Sequence, residues 1–212
     1  SLLTNSYNEN RDISFIGIQG NTPSVGLGFN DRAQAVFNLH LQKTLEASSS
    51  KADVIVWPEN AIDVDPFENK QVSEKLSKLQ TTTGIPLLAG AIVESKGLLN
   101  TAVLFDSATA AKSIYIKRYL TPFGEFIPLR NIASIVSPHT DRVTDFTPGN
   151  GLIIHEVDGV KISSVICYEL LGDSIIRESA RSSDFISVLT NSATFSGSAE
   201  GDQQMSITRI RA

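Results

Sequence analysis

The sequence predicts an α/β domain with mixed sheets, and three observations carry that reading. Apolar runs of strand length alternate with polar stretches of helical period. Two pairs of runs are joined by tight turns, at Lys96-Gly97 and Asp158-Gly159, so part of the β-structure must be antiparallel. Hydrophobic residues make up 41% and charged residues 19% of 212 residues, a composition that supports one domain with a substantial core. An α/β sandwich fits this mixture best, with a simple doubly wound sheet as the competing architecture.

The elements follow in order. Residues Asp12 to Gln19 read as a first strand, and Asp31 to Leu45 as an amphipathic helix with Asn30 or Asp31 as its cap. Ala52 to Trp57 is a short buried strand that Pro58 is expected to stop. Asn69 to Thr81 carries Val72, Leu76 and Leu79 on one face and predicts a surface helix. Pro86 to Val93 and Asn100 to Asp106 are strands around the Lys96-Gly97 turn, and Ser113 to Ile116 is another. Leu120 to Asn150 has several Pro and Gly residues and little periodicity, which predicts a long irregular region. Gly151 to Val157 and Val160 to Ile166 form a hairpin around Asp158-Gly159. A helix capped at Gly172-Asp173-Ser174 runs to about Arg181, Asp184 to Thr190 is a strand, and the end of the chain from Gln204 is helical.

Composition excludes several functions. A net charge of -5 argues against nucleic-acid binding. No apolar run approaches the roughly 18–20 residues of a membrane span, and Ser1 to Asp12 lacks the regions of a signal peptide. Taken alone, the chain is expected to be soluble. Residues 1–12 read as a linker and 13–212 as one domain. A start without Met and an end inside a helical pattern suggest a fragment lacking its C-terminal part. His40, His139 and His155 are scattered without metal-ligand spacing, so no metal is expected. The single cysteine, Cys167, allows no internal disulfide.

Three residues carry chemistry. Glu59, Lys117 and Cys167 each follow the end of a predicted strand, where sites gather in α/β folds. Singly, each has an ordinary reading: a solvated loop carboxylate, half of a surface basic pair with Arg118, and the last core residue of a strand. Together they supply what thiol catalysis needs. A carboxylate takes the thiol proton, and an ammonium and a backbone N–H, here that of Tyr168 where a helix begins, stabilise a developing oxyanion.

At these residues the sequence resembles the carbon–nitrogen hydrolase, or nitrilase, superfamily, most closely its apolipoprotein N-acyltransferase branch. The resemblance rests on Val54 to Ala61, on the Tyr115 to Arg130 block, and on Ile166-Cys167-Tyr168-Glu169, with Thr190 to Phe195 and the Gln204 to Ala212 helix in support. Asn191 to Phe195 lacks the Trp that many members place before this Phe. The resemblance implies a nitrilase-type αββα sandwich, with Glu59 as base, Lys117 as oxyanion stabiliser and Cys167 as nucleophile. It also implies accessory or substrate-binding roles for Glu125, Tyr168 and Glu169, which otherwise read as a loop carboxylate and residues of a tight turn. No cofactor is implied. The implied reaction moves an acyl chain from a phospholipid, through a cysteine thioester, to the N-terminal amine of an apolipoprotein. It takes place at the extracytoplasmic face of a bacterial membrane, with further membrane helices in the parent protein. Phe123, Phe126, Ile127, Leu129 and Ile132 would either dip into lipid or pack the Leu120 to Asn150 region onto the core. Two rival readings are a soluble amidase of the same superfamily and a non-catalytic binding module that kept the fold.

Overall fold

The computed structural model describes residues 12–21, 34–47, 51–106, 111–122, 124–126, 145–193 and 197–211. Five strands form the first sheet: β1 (Phe15–Gly17), β2 (Val54–Ile62), β3 (Leu87–Ser95), β4 (Gly97–Phe105) and β5 (Ala111–Ile116), in sequence order across the sheet. β1, β2 and β3 run parallel, while β3–β4 and β4–β5 are antiparallel. The second sheet holds β6 (Ile154–Val157), β7 (Val160–Ile166) and β8 (Phe185–Leu189), with β6–β7 antiparallel and β7–β8 parallel. Both sheets are therefore mixed, as expected. The β6–β7 turn works because Asp158 (φ 50°) and Gly159 (φ 80°) both adopt the left-handed conformation that a two-residue hairpin needs.

Four layers result. Helices α1 (Ala35–Glu46) and α2 (Lys70–Thr83) cover the outer face of the first sheet, where Phe37, Val72, Leu76 and Leu79 pack on Trp57, Leu87 and Val103. The inner faces of the two sheets meet through Leu88, Leu104 and Tyr115 on one side and Ile162, Ile166 and Leu189 on the other. Helix α3 (Asp173–Ser182) and a 3₁₀ helix (Cys167–Leu171) cover the outer face of the second sheet, through Ile175 and Leu170 against Val165. Helix α4 (Glu200–Arg211) buries no residue fully, but Ile207 joins that cluster and Arg211 pairs with Asp173 at 2.7 Å. No helix among the described residues is long and apolar enough to cross a membrane.

Several boundaries differ from the sequence reading. The first strand is confined to Phe15–Gly17. Helix α1 starts at Ala35 behind Gln34, which has a φ of 66° and makes no side-chain cap; the expected caps Asn30 and Asp31 lie outside the described residues. Pro58 does not stop β2. The strand continues to Ile62, and its pairing with β3 jumps from Trp57↔Ala89 to Ile62↔Ala91. Four residues of β2, Pro58 to Ala61, thus face one of β3, Gly90, and Pro58 sits in this bulge, where the ladder asks it for no N–H. The helix expected just after Cys167 begins at Cys167 itself, as the 3₁₀ turn. Of the irregular region, only its two ends are described, held by the bridges Pro122↔Phe126 and Leu98↔Phe146. Phe123, Ile127, Leu129 and Ile132 lie outside the described residues, as do residues 1–11 of the linker-like segment.

Candidate active site

Glu59 stands within β2 rather than after it, and the bulge is what aims it. Asn60 adopts a φ of 54°, breaking the alternation of the strand. Across the bulge lies Gly90. A Cβ there would come within 2.4 Å of the Pro58 carbonyl oxygen and 2.5 Å of the Glu59 Cα, so only glycine lets β3 pass this close.

Lys117 follows the last residue of β5 and is 1% exposed. Its Nζ lies 3.1 Å from Glu59 Oε1 and 2.7 Å from Glu125 Oε2. Burial alone would lower the Lys117 ammonium, but the two carboxylates outweigh it, and its pKa is raised. Burial likewise pushes the Glu125 carboxyl up, yet Lys117, the Asn100 amide and the Thr121 N–H together hold it below the ordinary range. Asn100 bridges the carboxylates from β4, its Nδ2 donating to Glu59 Oε1 at 2.8 Å and to Glu125 Oε1 at 2.5 Å. The N–H of Asn191, just past β8, donates to Glu59 Oε2 at 3.0 Å. One ammonium thus serves two buried carboxylates, a cluster that survives burial because every charge has a partner.

Cys167 comes from the other sheet. It directly follows β7 with a φ of 48°, a left-handed conformation uncommon for a non-glycine residue. Burial pushes its thiol up, Glu59 adds to that, and Lys117 and hydrogen bonds with the Thr190 and Gln204 side chains oppose it; the result is a raised pKa. The resting group is a thiol and needs a base to become a nucleophile. Gln204 Nε2 in turn donates to Thr190 Oγ1, pinning α4 to the end of β8.

The remaining expected residues separate by position. Glu125 joins the Lys117 cluster. Tyr168 is exposed and lines the cavity beside Cys167. Glu169 is fully buried and spent on the scaffold. Its Oε1 accepts from Tyr115 Oη at 2.7 Å, Arg118 N at 2.7 Å and Tyr119 N at 3.2 Å, and its Oε2 accepts from Ile166 N at 2.9 Å. This one carboxylate ties the segment after Lys117 to the residue before Cys167. Asn100, Thr121, Thr190 and Gln204 received no role from the sequence. Asn100 stands beside Thr101 in β4 as an ordinary polar residue, with no local signal to mark it.

A cavity of about 370 Å³ opens on Cys167, lined among the described residues by Thr121, Tyr168, Leu170, Leu171 and Gln204, with more of α4 beyond. Its walls are mostly apolar, and its size suits a small-molecule group. No cluster of metal-ligating side chains occurs among the described residues.

The carbon-nitrogen hydrolase family pattern matches residues 18–212. An apolipoprotein N-acyltransferase of Mycolicibacterium smegmatis is 30% identical over 94% of this chain and 36% of its own length. One of Rickettsia prowazekii is 30% identical over 86% of this chain and 38% of its own. The chain spans little more than a third of the length of these curated relatives. Among solved structures, a CN-hydrolase superfamily protein of Xanthomonas campestris superposes with a TM-score of 0.67 at 16% identity, over 95% of this chain and 72% of that one. An amidase of Nesterenkonia sp. superposes with a TM-score of 0.61 at 18% identity, over 84% of this chain and 64% of that one. Those two likenesses establish the nitrilase-superfamily fold, and the family pattern, which spans both sheets from Ile18 onward, places this chain in the carbon–nitrogen hydrolase family.

Proposed function

We propose that this domain is the catalytic part of a membrane-bound apolipoprotein N-acyltransferase, acting on the extracytoplasmic side of a bacterial membrane, with Glu59, Lys117 and Cys167 as its triad. The observation that carries the reading is a half-buried thiol that opens on an apolar-walled cavity and feels both the Glu59 carboxylate and the Lys117 ammonium. The names of the relatives support the choice of reaction.

Glu59 takes the Cys167 proton, and the thiolate attacks the ester carbonyl of a phospholipid. Lys117 and the Tyr168 N–H stabilise the oxyanion. The C–O bond breaks, Glu59 returns the proton to the leaving alkoxide, and a lysophospholipid departs. The α-amine of an apolipoprotein's lipid-modified N-terminal cysteine then attacks the thioester. Glu59 accepts an amine proton and passes it to the departing sulfur. Glu125 and Asn100 hold Lys117 and Glu59 in register, Tyr168 borders the acyl group, and Glu169 positions the two halves. Every step is served by side chains and backbone of this chain, without a cofactor.

The fold likeness to an amidase favours one other reading, hydrolysis of a small amide with water as acceptor. The test is a phospholipid-to-peptide transfer assay on the full-length protein, with mass spectrometry of the enzyme. An acyl adduct on Cys167, absent in Cys167→Ala, and acylated peptide are expected. An adduct that persists in the alanine variant overturns the nucleophile. Free fatty acid without acylated peptide overturns the transferase reading.

A further inference from the structure

Helix α4 presents Glu200, Gln203, Gln204 and Ile207 to the Cys167 cavity. Their spacing of three, one and three residues defines a single stripe along one helix face. The stripe changes character along its length. At its far end Ile207 continues the apolar wall begun by Leu170 and Leu171. In the middle Gln204 lines the cavity together with Cys167 and donates to Thr190 Oγ1. At its start stands Glu200, the one charged side chain that lines the cavity among the described residues. Its carboxylate has no ion-pair or hydrogen-bond partner among them.

Glu200 is half-buried in the first turn of α4, where the helix dipole favours a carboxylate that has no ion pair. It is well placed for a cation that arrives from outside. Glu200 lies one helical turn from Gln204, about 6 Å along the axis at about 1.5 Å per residue, and both line the cavity on which Cys167 opens, so a cation held by Glu200 shares that cavity with the sulfur. On the proposed acyl-transfer reading, on which this inference rests, the second substrate is a primary amine, and a peptide α-amine is largely protonated near neutral pH.

We infer that Glu200 is the recognition residue for the ammonium form of the amine acceptor, holding it beside the Cys167 thioester. The acyl chain lies along Leu170, Leu171 and Ile207, and the acceptor enters along the polar start of α4. The ammonium, bound at Glu200, releases one proton to solvent. The neutral amine then forms the C–N bond as the C–S bond breaks, and its second proton travels through Glu59 to the Cys167 sulfur.

The experiment separates the two steps in the full-length enzyme. Thioester on Cys167 is measured by mass spectrometry with a dipalmitoyl phospholipid alone. Transfer is measured by adding a synthetic peptide with an N-terminal diacylglyceryl-cysteine. Glu200→Gln is expected to form thioester at the wild-type rate and to raise the peptide KM about tenfold, the scale of a part-buried ion pair. Glu200→Asp is expected to restore most of the affinity, and slow hydrolysis of the thioester by water is expected to stay unchanged. A wild-type peptide KM in Glu200→Gln overturns the inference, as does an equal slowing of thioester formation and transfer, which marks a structural role. Absence of any thioester in the wild-type enzyme overturns the acyl-transfer reading together with it.

Discussion

Replacing Glu169 by Gln tests how the two halves of the site are held together. The carboxylate accepts three donors on Oε1 and one, the Ile166 N–H, on Oε2. The amide oxygen of Gln must face the side with three donors, which turns its NH₂ toward the Ile166 N–H, donor against donor. The variant loses one hydrogen bond to a charged acceptor, worth about 1.5–3 kcal/mol, and strands a buried N–H at about 1–3 kcal/mol. These costs overlap, so the expected destabilisation is about 2–4 kcal/mol. With a urea slope of about 2 kcal/mol/M, the unfolding midpoint falls by about 1–2 M. Trp57 is the single tryptophan and fully buried, so its fluorescence reports the transition. The defect lies next to Cys167, so thioester formation in the folded enzyme should fall at least about tenfold, because small misplacements of reacting groups are costly. A midpoint shift below about 0.3 M with normal thioester formation would refute the view that Glu169 clamps the nucleophile turn.

Three further outcomes are expected. Lys117→Met should slow acylation by about 100- to 1,000-fold, the cost of a lost oxyanion donor, and should return the Glu125 carboxyl toward or above its ordinary range by removing its nearest cation. Single-turnover rates and a carboxylate titration measure these, and a near-normal rate argues against the donor role. Gly90→Ala should lower stability and activity together, because its Cβ collides with β2 backbone at Pro58 and Glu59; a variant with wild-type unfolding and turnover shows that the bulge can yield. His155 is buried between the sheets, where burial holds its pKa at about 4 against 6.5 in the unfolded chain. The unfolded state therefore binds the extra proton first as pH falls. Stability should drop by up to about 3 kcal/mol between pH 6.5 and 4, a slope that His155→Gln should lack in urea unfolding followed across that range.

Much of the architecture was legible because the signals were local. The Asp158-Gly159 pair needs two positive φ values and found them. The Val72, Leu76 and Leu79 stripe lies on the first sheet, with Asn69 capping Val72 N at 3.1 Å. The β2 boundary was not legible, because Pro58 forbids a ladder bond and nothing local announces that a bulge removes the need for one. The strand-to-helix passage at Cys167 was read one residue late for a similar reason: a non-glycine residue with positive φ leaves no mark in composition. In the site, Lys117 and Cys167 directly follow their strands as expected, and Glu59 comes to Lys117 by way of the bulge. Asn100, Thr190 and Gln204 escaped notice because they are ordinary polar residues whose meaning arises from three separate elements converging. Phe126 is only half-buried, and the other apolar residues of its block lie outside the described part.

Glu59, Asn100 and Lys117 ride on the first sheet, whereas Cys167, Thr190 and Asn191 ride on the second. An apolar seam joins the two, and polar ties cross it among the described residues: Tyr115, Arg118 N and Tyr119 N to Glu169, Asn191 N to Glu59, Ser113 to His155, Arg118 to Glu178 and Tyr119 to Ser174. The Cys167 thiol and the Glu59 carboxylate are thus two marks on separate rulers laid face to face. A slip of one sheet against the other leaves each ladder of hydrogen bonds intact while it moves sulfur relative to carboxylate. Substitutions at the seam, at Ile162 or Leu104 for instance, therefore act as misalignments of the rulers. They lower the melting temperature, as cavities in a core do, and they also shift the site, so a turnover assay on this domain senses packing far from any group that touches substrate.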